Sequence, residues 1–103
     1  VNNPRVIFME SPVVDGGRCV EILAAGPVTH QPHSSIFRVV LAWVDSQLVV
    51  WQQRFVRGGH GELRHQGFDG GEYFDDTELT EAAAVFAGRI KRDSGSYASV
   101  YRE

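Results

Sequence analysis

Four histidines, one cysteine, a glycine-rich run and an acidic run are the places in this 103-residue chain where chemistry has suitable side chains. His30 and His33 lie three apart, and His60 and His65 lie five apart. On a helix, a three- or four-residue spacing aims two imidazoles at one ion. Pro32 stands inside the first pair and opposes a helix there. The second pair flanks a glycine turn and meets only across it. Asp69, Glu72, Asp75 and Asp76 are near enough in sequence to complete a site. Solvated loop histidines account for the same pattern with fewer demands, so no metal ligand and no cofactor is assigned.

The segment Arg57-Gly58-Gly59-His60-Gly61 has the glycine content of an anion-binding loop, in which backbone N–H groups approach a phosphate. Its spacing matches neither the dinucleotide nor the P-loop pattern, and no helix is expected directly after it. A hairpin turn needing positive φ is the better reading. The acidic run from Asp69 to Asp76 lacks the alternating oxygen ligands and closing glutamate of an EF-hand. Cys19 falls in an expected strand, where a buried, inert thiol is usual. Serines, histidines and carboxylates are present, but no spacing selects a nucleophile with its base. No catalytic residue is named. A small enzyme would use His60 or His65 as base beside a carboxylate, in a pocket between helix and sheet.

Composition bounds what must hold these residues. The chain has room for one domain, residues 1–103. Its 43% hydrophobic content suits a packed core. A net charge of −3 and a pI near 5.8 argue against a nucleic-acid partner. One cysteine cannot form an internal disulfide. The start, Val1-Asn2-Asn3-Pro4-Arg5, leads only into a short apolar run, so no signal peptide is expected. No stretch approaches the roughly 18 apolar residues of a membrane helix. A cytoplasmic protein without membrane contact is therefore expected.

The elements follow from periodicity. Strands are expected at 5–10 and 19–25, with a loop over 26–35. Residues 36–44 are apolar on both faces, as in a central strand. Asp45-Ser46-Gln47 is expected as a tight turn, returning into a strand over 48–57 whose Val49, Trp51 and Phe55 share a face. A short strand is expected at 62–66, then a loop over 68–76 pinned by Phe68, Tyr73 and Phe74. Leu79, Ala83, Phe86 and Ile90 repeat at spacings of 4, 3 and 4, which predicts a helix. Asp76 or Thr77 is the expected N-cap, Arg89, Lys91 and Arg92 complement the C-terminal dipole, and Gly95 is the expected stop. Tyr97 to Tyr101 reads as a last strand. The fold class expected is α+β: a mostly antiparallel sheet of four to six strands with one amphipathic C-terminal helix on one face.

Part of the chain resembles the WGR domain, a small sheet-plus-helix module that contacts DNA ends in some nuclear enzymes. The matching residues are Trp51, Arg54-Phe55-Val56-Arg57-Gly58-Gly59, Gly61, Phe68, the helix with Ala83, Phe86 and Ile90, and Gly95-Ser96-Tyr97. Phe55-Val56-Arg57 stands where that family has Trp-Gly-Arg, and residues are inserted between Phe68 and the helix. The resemblance implies a phosphate-contacting strip of Arg54, Arg57 and Arg64.

One short helix covers one face of such a sheet, so the other apolar face needs cover. The candidates are Ile36, Val40, Leu48 and Val50, or the Trp43/Trp51 side. The expected function is thus non-enzymatic: a binding or assembly module, homodimeric, that recognises a protein partner or a small apolar ligand. Trp43, Trp51, Phe55 and Tyr73 are the expected lining of its ligand groove.

Overall fold

The computed structural model describes residues 11–30 and 35–102, with side chains as far as Asp93. The strand expected at 5–10 lies outside the described residues. The fold class is as expected: a six-stranded antiparallel sheet, curled into a half-barrel, with one C-terminal helix against it. The strands are β1 (Val13–Asp15), β2 (Arg18–Ala25), β3 (Thr29–His30), β4 (Ile36–Val44), β5 (Gln47–Arg57) and β6 (Leu63–Phe74), and the helix is α1 (Leu79–Arg102). The order across the sheet is β1-β2-β4-β5-β6, with β3 also paired to β4. β3 thus places two strand residues inside the segment expected to be all loop.

The β4–β5 hairpin sets the faces of the core. Its turn is two residues long, not three: Val44 pairs with Gln47, and Asp45 and Ser46 both take positive φ (51° and 62°). Two consecutive left-handed residues make a type I′ turn, whose twist matches that of the strands. The one-residue difference exchanges the faces of the return strand, because side chains alternate with period two. Trp43 therefore sits opposite Leu48 on one face, whereas Val40 sits opposite Trp51 on the other. Both sequence groupings, Trp43 with Trp51 and Val40 with Leu48 and Val50, are corrected by this register.

The convex face carries Val39, Leu41, Leu48 and Val50, which pack with Ala82 of α1 and with the partly buried Trp43, Phe74, Val85, Phe86 and Ile90. The concave face carries Val40, Ala42, Val44, Val49 and Trp51, all at most 4% exposed. The chain covers that second face itself. Val20 is fully buried there, Val13, Ile22 and Phe68 lie against it, and Phe68 stacks on Trp51 with ring centroids 4.3 Å apart. Curling rather than a partner gives β4 an apolar environment on both sides.

β6 is one long strand where a short strand and a loop were expected. Two irregularities disguise it in the sequence. Val50 pairs with Glu72 and Gln52 with Asp69, so Gly70 and Gly71 together face Trp51; Gln66 is a second extra residue. A Cβ on Gly71 would come within 2.6 Å of Trp51 Nε1, so the indole leaves room only for glycine. Phe68 and Phe74 anchor the strand as expected, but Tyr73 is 53% exposed. The turn from β5 uses Gly61 at φ 84°, which meets the positive-φ expectation.

The helix buries a stripe rotated by about one position from the expected one. Ala82 and Arg89 are buried, with Val85, Phe86 and Ile90 beside them; Leu79 and Ala83 are exposed. It runs through Gly95 to Arg102, so the expected stop and the expected last strand at 97–101 are both helix. Glycine stops a helix only where the chain uses its left-handed conformation; within a helix it is a weak former, costing about 1 kcal/mol against alanine.

Neither Asp76 nor Thr77 caps the helix: the Glu78 carbonyl accepts its first bond, from Ala82 N–H (2.9 Å), and Asp75 instead closes the turn that leads into it. Its Oδ1 accepts the Thr77 N–H (2.9 Å) and the Thr77 hydroxyl (2.6 Å), while its own N–H donates to Glu78 Oε1 (2.9 Å). The two side chains thus satisfy N–H groups of the turn ahead of the first helical residue, as local side-chain bonds of Asp and Glu commonly do. The Thr77 hydroxyl, then the Thr77 N–H, hold the Asp75 carboxyl below its ordinary value of 3.8. A depressed folded-state pKa contributes stability above the unfolded value and loses it as pH falls through the folded one. Thermal melts from about pH 5 to 2.5 are expected to fall less steeply for Asp75→Asn than for the parent, since an asparagine oxygen accepts the Thr77 bonds without titrating. Identical slopes would remove the carboxylate from this role.

Candidate functional site

The structure separates the four aromatic residues expected to line one groove. Trp51 and Tyr73 meet edge to face on the concave side, with centroids 6.0 Å apart and planes at 86°. Phe55 lies further along the same face of β5. Trp43 is on the convex side, packed among the residues under α1.

Beyond Trp51 the concave face turns polar. Gln53, only 1% exposed, accepts a hydrogen bond from Arg38 Nε at its Oε1 (2.8 Å) and places its Nε2 3.0 Å from His65 Nδ1. His65 Nε2 lies 2.9 Å from Asp15 Oδ1. This chain of four side chains runs from β4 through β5 and β6 to β1, so it joins the first strand of the sheet to the last. Asp15 also lies 3.9 Å from Arg18, whose guanidinium stands 5.7 Å over the Trp51 ring. The Arg38 guanidinium stands 5.5 Å from the centre of the Phe55 ring. His65 is thus beside a carboxylate, as the enzyme alternative requires. Its other ring nitrogen faces Gln53, which leaves no free nitrogen for a substrate proton.

Phe55 also lines a cleft of about 640 Å³ at the end of the sheet away from the β4–β5 turn. Its walls are His30, Ser35, Ile36, Arg54, Phe55, Val56, Arg57 and Gln66. Three of these are apolar, three bear a guanidinium or imidazole, and none is a carboxylate. Arg54 reaches Asp69 (3.3 Å) and Ser35 (3.4 Å), and Arg57 donates to the Gly61 carbonyl (3.1 Å).

The arginine strip implied by the WGR resemblance is divided. Arg54 and Arg64 lie on one face of the β5–β6 ladder and Arg57 on the other, and Arg64 is held by Glu62 at 2.9 Å. No protein-family model, curated protein or solved structure matches the chain. The likeness to the WGR domain therefore stays a resemblance of residues alone. Among the described residues, no group of three or more His, Cys, Asp or Glu is placed to hold a metal ion. His60 is exposed in the β5–β6 turn, and His33 lies outside the described residues. Cys19 is exposed, contrary to the expected buried thiol, because it falls on the outward-facing side of β2. No helix among the described residues is long and apolar enough to cross a membrane.

Arg38, Gln53 and Asp15 were not singled out from the sequence. The signal was present at two of them. Arg38 and Gln53 each interrupt an otherwise apolar strand face, and a polar group on a buried face needs a partner. His30, Ser35 and Gln66 carried no such signal, since the cleft exists only once β3, β5 and β6 are in register.

Proposed function

We propose that the protein is a non-enzymatic binding module that takes a small amphipathic ligand, with an apolar body and an anionic group, in the cleft at the end of β4 and β5. The carrying observation is the cleft lining: Ile36, Phe55 and Val56 beside Arg54, Arg57 and His30, with no carboxylate among them. Its volume falls in the range of about 300–1,000 Å³ typical of small-molecule sites. The partly exposed apolar wall supplies affinity when a ligand covers it, and guanidinium groups orient a carboxylate or phosphate. This reading moves the ligand from the Trp51 region, which Phe68 fills, to the neighbouring end of the same face.

A homodimer and a protein partner remain proposals of a second kind. The sheet face that motivated them is covered within one chain, so they would rest instead on exposed Leu23, Tyr73 and Leu79. A cytoplasmic setting is likewise part of the proposal.

The test is a titration, followed by amide chemical shifts, with aliphatic and aromatic carboxylates against their neutral amides. Carboxylates are expected to bind at least about tenfold more tightly, equivalent to about 1.4 kcal/mol. Arg57→Glu, at an exposed position, is expected to abolish that preference without changing the fold. Equal binding of acid and amide, or a preference untouched by Arg57→Glu, would overturn the assignment.

A further inference from the structure

We infer that the cleft selects a carboxylate over a phosphate monoester, and that Asp69, outside its walls, sets this choice by balancing Arg54. The inference rests on the proposed function and narrows its ligand class to a singly charged acid.

Three arginines stand at this end of β5 and β6, and they are not equivalent. Arg54 Nη1 lies 3.3 Å from Asp69 Oδ2. Arg64 Nη2 lies 2.9 Å from Glu62 Oε2. Arg57 donates to a neutral acceptor, the Gly61 carbonyl (3.1 Å), and pairs with no carboxylate among the described residues. Arg38 stands 5.5 Å over the Phe55 ring, outside the cleft walls.

The two ends of the Arg54 guanidinium face different ways. Nη1 is turned to Asp69 and to Gln52 Oε1 (3.3 Å), neither of which lines the cleft. Nη2 lies 3.4 Å from the hydroxyl of Ser35, which does. The register explains the arrangement. Asp69 is the partner of Gln52 across the β5–β6 ladder, and Arg54 is two residues further along β5. Alternation therefore puts all three side chains on one face of the sheet.

The cleft thus holds one guanidinium charge, that of Arg57, which no carboxylate balances. A carboxylate carries one charge on two oxygens and matches a single planar fork. A phosphate monoester carries close to two charges at neutral pH, on three oxygens. Withdrawing the second charge from water is unfavourable unless a second cation meets it. Arg54 would be that cation, but Asp69 engages its Nη1, and the Asp69 charge repels the same phosphate. Asp69 is in this sense a positioning residue, acting through Arg54 without touching the ligand.

The experiment titrates an aliphatic carboxylate, and the alkyl phosphate of equal chain length, into the full chain at about pH 8, where histidines are ordinarily neutral. Amide chemical shifts of the cleft residues report binding. The parent is expected to bind the carboxylate more tightly. Asp69→Asn is expected to move the ratio of the two affinities toward the phosphate by about threefold or more, the scale of one exposed ion pair. Asp69→Asn combined with Arg54→Gln removes anion and cation together and is expected to return the ratio to that of the parent. The side chains of Arg54 and Asp69 are 39% and 58% exposed, so neither substitution enters the core. A merely structural role for Asp69 would change both affinities alike and leave the ratio where it was. A parent that prefers the phosphate, an Asp69→Asn ratio equal to the parent's, or a double variant that keeps the Asp69→Asn ratio would each overturn the inference, and in all three the cleft reading stands because an acid still binds. A parent that binds neither acid removes the cleft reading and the inference with it.

Discussion

Arg89→Ala is expected to lower stability by about 3 kcal/mol, seen as a reduced urea midpoint with an unchanged slope. Arg89 is 8% exposed, in the middle of the helix stripe that faces the sheet. Its Nη1 donates to the carbonyls of Val50 (3.1 Å) and Gly70 (2.7 Å), and Glu72 lies 3.8 Å away. These carbonyls flank the place where Gly70 and Gly71 face Trp51 and the β5–β6 ladder loses its regular pairing. The helix thus supplies the donors that the neighbouring strand does not. Alanine would leave both oxygens under α1, where water reaches them poorly, with a cavity besides. Methionine separates the two contributions. Arg89→Met fills much of the volume but donates nothing, so it is expected to recover less than half of the loss. A methionine variant as stable as the parent would show that packing alone accounts for the position.

Trp51→Ala is expected to cost about 4 kcal/mol, in line with other large-to-small changes of buried aromatics. Small domains hold about 5–15 kcal/mol in total, so this variant stands near its unfolding threshold at room temperature. The indole is 4% exposed, stacks on Phe68 at an interplanar angle of 19° and meets Tyr73 edge-on. It fills the hollow of the curled sheet, where no helix is available to move in and close a void. Phe68→Ala should cost less, because Phe68 is only partly buried, and the double variant should lose less than the sum of the singles. Urea unfolding of the four proteins completes the cycle. Strict additivity would show that the stack contributes nothing beyond burial.

Much of this architecture was legible in the sequence, and the failures have specific causes. The helix was visible because its small and apolar residues recur near every third and fourth position. The stripe was misplaced by one position because a buried arginine looks like a surface residue. Residues 36–44 announced a central strand, but the faces of the return strand depended on whether the turn held two or three residues. Asp45 and Ser46 are not the Asn-Gly or Asp-Gly pair that marks a type I′ turn, so the shorter turn had no signature. β6 was cut short because Gly70 and Gly71 break its alternation at the point where they accommodate Trp51. The cleft and the polar chain needed strands distant in sequence to be aligned, and local pattern carries no information about that.

The contact between His65 and Asp15 spans 50 positions of the chain, whereas β4, β5 and β6 pair each with the next in sequence. Chain entropy orders these events. A three-strand meander closes short loops, and the curl must wait until the sheet that it joins exists. Interactions made after the rate-limiting step govern how fast a protein comes apart rather than how fast it forms. The polar chain across the concave side is in that sense a brake on unfolding, and altering it should shorten the lifetime of the native state while leaving the speed of its assembly unchanged.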